Sequence, residues 1–259
     1  MIQVAIIGAG FIGPAHLEAL RRLGDVEVVA LCDSRLEAAQ RKAQALNIAH
    51  AYDSVEALLA HPGLQVVHNC TPNHLHAQIN RQILAAGLHV FSEKPLCMTA
   101  EEARELVALA ARAGVVHGVS FVYRQFAMVQ QAAAMIRHGE VGRIFAAHGS
   151  YLQDWMLLET DYNWRVDSAQ GGASRTVADI GSHWCDTVQF MTGRRIVEVM
   201  ADLSIVWPTR KAPVNGKATF SAVHEAQAYE TRPVDTEDFG SVLLRFDDGS
   251  KGSFMVSQV

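Results

Sequence analysis

Three groups of residues in this 259-residue chain have types and spacings suited to chemistry. The first is Gly8-Ala9-Gly10-Phe11-Ile12-Gly13, a G-x-G-x-x-G pattern that follows an apolar run and precedes a segment of helical period. Such a turn leaves free N–H groups and the positive end of a helix facing outward, where the phosphates of a dinucleotide are stabilised. Gly8 permits the tight turn, Gly10 lets the backbone approach a pyrophosphate, and Gly13 lets the helix pack closely. Asp33 stands twenty residues beyond Gly13, where a carboxylate accepts hydrogen bonds from ribose hydroxyls. It favours NAD over NADP. Ser34 and Arg35 follow it, and Arg35 offers a partner to a 2'-phosphate or is a solvated residue at a helix start, so NADP stays open.

The second group comprises Cys70-Thr71-Pro72-Asn73-His74-Leu75-His76 and Glu93-Lys94-Pro95-Leu96, each directly after an apolar run. A lysine there supplies a cation able to stabilise a developing alkoxide. The third is Asp179 and His183, four residues apart on a segment whose Val177, Ile180, Trp184, Val188 and Met191 form an apolar stripe. Asp179 and His183 therefore share a different face. Histidine is suited to taking a hydroxyl proton near neutral pH, and a neighbouring carboxylate orients the imidazole. Asp186, a turn further on, is either a substrate contact or a solvated carboxylate. His74 and His76 lack carboxylate or cysteine co-ligands, so no metal is expected. His16, His61 and His138 fit no pattern.

The elements that position these groups are legible between Gln3 and about Phe121. Strand-like runs over 3–7, 26–31, 65–70, 89–92 and 115–121 alternate with helical stripes, which predicts a parallel sheet covered on both faces. One helix stops at Gly24 and another at Gly87, and Thr99 with Glu102 forms a capping box for a helix through Ala113, closed by Gly114. After Arg124 a helix runs to His138 and ends at Gly139, and longer strands follow over 144–152, 196–207, 242–246 and 252–256. The fold expected is α/β plus α+β: a doubly wound Rossmann domain over 1–124, then an α+β domain over 125–259 on a largely antiparallel open sheet. The stretch 208–237 resists reading.

Together the glycine turn, Thr71-Pro72-Asn73-x-x-His76, Glu93-Lys94-Pro95 and Asp179-x-x-x-His183 resemble the Gfo/Idh/MocA family of oxidoreductases, and the resemblance covers essentially the whole chain. It implies that Lys94 contacts nicotinamide ribose and substrate, and that Asp179 and His183 meet the reactive carbon. It also implies that Cys70, Thr71, Pro72, Asn73, His76, Glu93 and Pro95 border the cofactor. Substrate contacts are expected from Tyr123, Asn163, Trp164 and Arg165, since an indole stacks on sugar carbons and Asn or Arg donates to hydroxyls. Trp164 as a core residue and Tyr123 as a junction seal are the plainer alternatives. Val122 stands where many members of that family carry Asn.

The implied activity is hydride transfer between NAD, with NADP possible, and a hydroxyl-bearing carbon of a sugar, cyclitol or polyol. An NAD-recycling glycoside hydrolase and a non-catalytic nucleotide sensor are the competing readings. Charged residues make up 19% of the chain and the net charge is −5, which gives no footprint for nucleic acid or anionic lipid. No apolar run is long enough to cross a bilayer and no signal peptide is apparent, so a cytoplasmic protein is expected. The four cysteines form no pair, so reduced thiols are expected. Because the chain stops at Val259 on the return arm of a hairpin, that strand is expected to be an unpaired edge and the domain truncated. The resemblance implies further strands and a terminal helix that support a homodimer or homotetramer.

Overall fold

The computed structural model describes residues 1–214 and 228–259, in two compact units, Met1–Ser120 and Phe121–Val259. The first unit runs β1 (Ile2–Ile7), α1 (Gly13–Arg21), β2 (Val26–Cys32), α2 (Leu36–Ala45), β3 (His50–Tyr52), α3 (Val55–Leu59), β4 (Val66–Asn69), α4 (Asn73–Ala85), β5 (His89–Ser92), α5 (Ala100–Ala113) and β6 (His117–Val119). Its six strands are parallel, in the order β3-β2-β1-β4-β5-β6. That is the doubly wound order of a dinucleotide-binding sheet, in which the strand order reverses between β1 and β4. Both sheet faces are covered: Ala5, Ile7, Val67, Ile83 and Leu106 belong to one apolar cluster, and Val4, Ile6, Leu17 and Leu31 to another. The central strands are apolar over Val4–Ile7 and Val29–Cys32, where neither face meets water.

Helix ends follow the local signals. Thr99 accepts from the Glu102 N–H at 3.2 Å and Gly114 closes α5 at φ +65°. The Glu102 carboxylate reaches back one residue further than the usual box, to the Met98 N–H at 3.2 Å. The last strand is shorter than the apolar run around it, because only His117–Val119 pairs with β5. Two short helices, α2 and α3, and the three-residue β3 lie where the sequence offers only weak periodicity.

The second unit begins with a 3-10 turn (Val122–Gln125) and continues through α6 (Ala127–Arg137), β7 (Ala146–Leu152), a 3-10 turn (Trp164–Val166), α7 (Ser168–Gly171), a π turn (Val177–Gly181) and α8 (Ser182–Thr192). The strands β8 (Ile196–Ser204), β9 (Thr209–Pro213), β10 (Tyr229–Pro233), β11 (Phe239–Phe246) and β12 (Lys251–Ser257) follow. Strands β7, β12, β11 and β8 form one sheet in that order, antiparallel except for the β7–β12 pair. One face carries Val242, Leu244, Phe246, Phe254 and Val256 and packs on Ile180 and Val188 of the π turn and α8. Trp184 stacks on Phe254 at 4.7 Å. Gly149 makes room for it, since a Cβ there would lie 2.8 Å from the indole nitrogen.

The expectation of an unpaired edge at the last strand is overturned. β12 lies inside the sheet, paired along its whole length with β11 on one side and, in parallel, with β7 on the other. Its parallel partner comes from a hundred residues upstream in sequence, beyond the reach of a local pattern. Among the described residues the outer strands of this sheet are β7 and β8. β8 also ends earlier than its apolar run, because the N–H groups of Val206 and Trp207 turn onto the Asp238 carboxylate at 2.8 and 2.9 Å. Within 208–237, β9 and β10 pair antiparallel, and 215–227 lie outside the described residues.

Candidate active site

In the first unit the glycine turn joins β1 to α1. Gly8 has φ +99°, and a Cβ there would lie 2.5 Å from the Cys70 carbonyl oxygen, so the turn rests directly on backbone at the end of β4. A Cβ on Gly13 would lie 2.4 Å from the Gly8 carbonyl oxygen, whereas one on Gly10 would meet nothing within 4 Å. Gly13 therefore closes the turn on itself and Gly10 faces open space. Asp33 meets this turn: its Oδ2 accepts from the Ala9 N–H at 3.2 Å, and its Oδ1 from the Ser34 N–H at 2.7 Å. Ser34 thus orients Asp33, and Arg35 is exposed at the start of α2. Phe11 is 66% exposed beside Ile12, which precedes the first residue of α1. This cradle of bare backbone and a fixed carboxylate fits a dinucleotide. Replacing Gly13 by Ala forces that backbone contact apart. NAD affinity is expected to fall more than tenfold, measured by fluorescence titration, and unchanged affinity would remove the turn from the site.

The segments after β4 and β5 are tied together. His76 is 1% exposed, with Nδ1 2.6 Å from the Pro95 carbonyl oxygen and Nε2 2.7 Å from that of Thr71. It fastens the two loops to each other rather than presenting its ring outward. Burial pushes its pKa down, opposed by the two carbonyls. The Thr71 hydroxyl donates to Asn69 Oδ1 at 2.7 Å, and Asn69 continues through Asn80 to Ser92 at 2.9 and 3.0 Å. Cys70 contributes backbone; burial pushes its thiol up and keeps it protonated. Pro72 sets the extended residue before α4, which Asn73 opens. Lys94 and Pro95 are joined by a cis peptide bond.

Glu93 is the hub of a buried chain. His16 Nε2 lies 3.0 Å from its Oε1, His16 Nδ1 lies 2.9 Å from His68 Nδ1, and the Lys94 N–H donates to Oε2 at 3.1 Å. Burial alone would raise the Glu93 carboxyl, but hydrogen bonds from His16 and Ser120 outweigh it and hold the group below its usual range. An ionised Glu93 requires N–H on His16 Nε2, and a single hydrogen then bridges the Nδ1 atoms of His16 and the neutral His68. His16 fitted no pattern in the sequence. Its place one turn into α1 puts it against the ends of β4 and β5, a relation visible only once the sheet is formed.

Burial and then the neighbouring His16 hold His68 down at about 4, against an ordinary 6.5. The unfolded chain therefore binds a proton that the folded unit resists, so stability is full above pH 6.5 and is lost as pH falls toward 4. The shift corresponds to about 3 kcal/mol. His76 adds to the loss with the same sign. Replacing His68 by Leu is expected to flatten this dependence in urea-unfolding midpoints taken across that window. An unchanged slope would show that His68 does not carry it.

In the second unit, His183 lies on the first turn of α8, 7% exposed, its ring stacked on Tyr123 at 4.3 Å and edge-on to Phe121 at 5.6 Å. The Tyr123 hydroxyl is 2.6 Å from that of Tyr151, and burial and this bond push its pKa up, so it stays protonated. Asp179 lies in the π turn, so the 3.6-residue spacing expected of a regular helix does not hold between it and His183. Its Oδ2 accepts from Gln258 Nε2 at 2.8 Å and its Oδ1 lies 3.8 Å from Arg165 Nε. Arg165 stacks over Trp164 at 4.5 Å, and Asn163 Oδ1 accepts from the Arg165 N–H and guanidinium, both at 3.2 Å. Asn163 is thus a cap for this turn, 7% exposed.

The reading of Asp186 as a solvated carboxylate does not hold. It is 8% exposed and held by both ends of the Arg124 guanidinium, with Arg124 Nε donating to Oδ2 at 2.7 Å. That pair joins the 3-10 turn carrying Tyr123 to α8. The turn bearing Asp179 is also fastened from below: the Glu237 carboxylate accepts from the N–H groups of Arg175 and Val177 at 3.0 and 2.9 Å. Glu237 and Gln258 were invisible in the sequence because each acts across more than sixty residues or close to it.

The comparisons agree with this architecture. Residues 2–121 match the Gfo/Idh/MocA model described as an oxidoreductase family with an NAD-binding Rossmann fold, and residues 129–259 match a C-terminal domain model of the same family. The chain is 30% identical over 97% of its length to levoglucosan dehydrogenase of Pseudarthrobacter phenanthrenivorans, spanning 66% of that protein. It is 34% identical over 74% of its length to D-glucoside 3-dehydrogenase of Escherichia coli, spanning 54%. A solved levoglucosan dehydrogenase in complex with NADH and L-sorbose superposes on all of this chain with a TM-score of 0.89 at 29% identity, covering 67% of that structure. An oxidoreductase domain protein from Kribbella flavida gives 0.89 at 30%, over 99% of this chain and 67% of that structure. The chain therefore spans less than two thirds of the length of these curated relatives. With the glycine turn, the strand order and both family models in agreement, the chain belongs to the Gfo/Idh/MocA oxidoreductase family.

Proposed function

We propose that the protein is an NAD-dependent dehydrogenase that oxidises a hydroxyl-bearing carbon of a sugar or cyclitol. The observation that carries this reading is the superposition of the whole chain on a relative solved with NADH and a sugar. The first unit's glycine turn and fixed Asp33 carboxylate fit the cofactor part of it. When bound, the nicotinamide supplies the hydride acceptor.

In this reading residues 1–124 hold the cofactor and 125–259, together with Tyr123, the substrate. Gly8, Gly10, Phe11, Ile12 and Gly13 hold the phosphates, and Asp33 with Ser34 and Arg35 the adenosine ribose. Thr71, Pro72, Asn73, Glu93 and Pro95 border the nicotinamide, and Cys70 and His76 support that border from beneath. Lys94 places its ammonium beside the substrate oxygen, where it stabilises the alkoxide that develops as the proton leaves. His183 takes that proton, its ring plane set by Tyr123. Asp179 favours the imidazolium that results. Tyr123, Trp164 and Arg165 border the sugar, and Asn163 holds Arg165 in place.

The partner is a small molecule, neither nucleic acid nor membrane. Among the described residues no helix is long and apolar enough to cross a membrane, which is compatible with work in the cytoplasm. A homodimer or homotetramer is the assembly proposed, and light scattering tests it.

A screen of sugars and cyclitols with either cofactor, read by NADH absorbance, tests the activity. Net NADH formation on one of them supports it, and sugar cleavage without net NADH overturns it. Because Asp33 would oppose a 2'-phosphate, NAD is expected to bind more tightly than NADP, and Asp33→Ser to narrow the gap to within about tenfold. Tighter NADP binding by the unaltered protein would move the assignment to Arg35.

A further inference from the structure

We infer that Gln258 is a positioning residue for the reaction, holding the Asp179 carboxylate ionised and in one orientation through a buried amide hydrogen bond; this rests on the role proposed for Asp179. Gln258 follows β12 directly and is fully buried. Its main chain is spoken for, since its N–H donates to the Asp238 carbonyl and its carbonyl accepts from the Met156 N–H, both at 3.0 Å. The side chain is thus directed from a fixed backbone to Asp179, 2.8 Å from Nε2 to Oδ2. On its other side, Oε1 lies 3.3 Å from the Thr176 hydroxyl, which is 2.8 Å from the Glu237 carbonyl oxygen. Turning the amide over would set Oε1 against a carboxylate oxygen, so this orientation is the one the surroundings allow.

The residue type is informative. A buried neutral donor favours the ionised form of the carboxylate it serves without cancelling its charge, as a lysine or arginine there would. At full burial, no water replaces the amide if it is removed. The charged and titratable groups around Asp179 are Arg165 at its Oδ1, Tyr123 on the neighbouring turn, His183 on α8, and Arg175 and Glu237 at the base of the turn. Gln258 adds a neutral amide donor to these groups.

The experiment compares Gln258→Met, which keeps length and loses the donor, with Gln258→Glu. Both are first checked for unaltered NAD affinity and far-UV circular dichroism. Turnover in Gln258→Met is expected to fall about tenfold with an unchanged KM, and the acidic limb of its pH profile to move up by about one unit. Adding Gln258→Met to Asp179→Asn should cost nothing further. In Gln258→Glu, turnover relative to the unaltered protein should recover as pH falls, when a protonated carboxyl donates as the amide does. Independently of any substrate, the Asp179 carboxyl carbon, assigned by Asp179→Asn, should titrate higher in Gln258→Met by carbon NMR. An unchanged titration, or a shifted titration with an unchanged rate profile, overturns the inference. Failure of the unaltered protein to reduce NAD with any sugar defeats the proposed function instead, and the NMR titration still decides whether Gln258 governs the carboxylate.

Discussion

Replacing His183 by Ala, or Lys94 by Ala, is expected to lower turnover by about a hundredfold or more on the true substrate, because each acts on the transferring proton or on the charge it leaves behind. The two losses should separate in other measurements. His183 belongs to the second unit and is held there by Tyr123 and Phe121, so His183→Ala should leave NAD affinity intact. Lys94 follows Glu93 in the cofactor unit, and its N–H is bonded to the Glu93 carboxylate, so Lys94→Ala should weaken NAD binding as well. Steady-state rates combined with cofactor titration check both. Ordinary turnover by His183→Ala would mean that another group takes the proton. The neighbouring Tyr123 is poorly placed to do so, since burial and its bond to Tyr151 push its pKa up.

These residues were legible in the sequence because their motifs are local. Gly8 to Gly13, Asp33 and Glu93-Lys94-Pro95 each sit beside a strand end, where punctuation reports position directly, whereas the helical period read for Asp179 and His183 is broken by the π turn. Groups that act at a distance were not legible. His16 meets Glu93 across 77 residues, Arg124 meets Asp186 across 62, and Gln258 meets Asp179 across 79. The same limit explains the last strand. Its apolar alternation was readable, but its parallel pairing with β7 arises from chain crossing that no window of sequence contains. His76 shows a subtler form: its position in the motif was plain, yet its two bonds to backbone carbonyls make it a fastener of the loops.

Replacing Asp238 by Ala is expected to be among the most destabilising changes in the second unit. Asp238 lies between Arg175 and Arg210, and all three side chains are fully buried. Its Oδ1 faces both guanidinium groups, and its Oδ2 takes the Val206 and Trp207 N–H groups. Burial alone would raise this carboxyl, but the Trp207 N–H and the two arginines hold it below its usual range. Two cations already share one anion here, and among the described residues Arg175 Nε and Nη1 and Arg210 Nε are buried without a hydrogen-bond partner. Removing the anion leaves two uncompensated buried charges, a change that costs about 3–5 kcal/mol even for a single broken pair. Against a typical stability of about 5–15 kcal/mol, that is a large share. The loss should also reach the site, because Arg175 opens the turn that carries Asp179 and its carbonyl accepts the Asp179 N–H at 2.7 Å. Asp238→Ala should therefore unfold at markedly lower urea and lose turnover before its circular dichroism changes. Replacing Arg175 and Arg210 by Met and Asp238 by Leu together removes the charges in concert and should recover much of the stability but not the turnover. A cost below about 1 kcal/mol for Asp238→Ala would mean that water reaches the two guanidinium groups, and that the triad does not hold the turn.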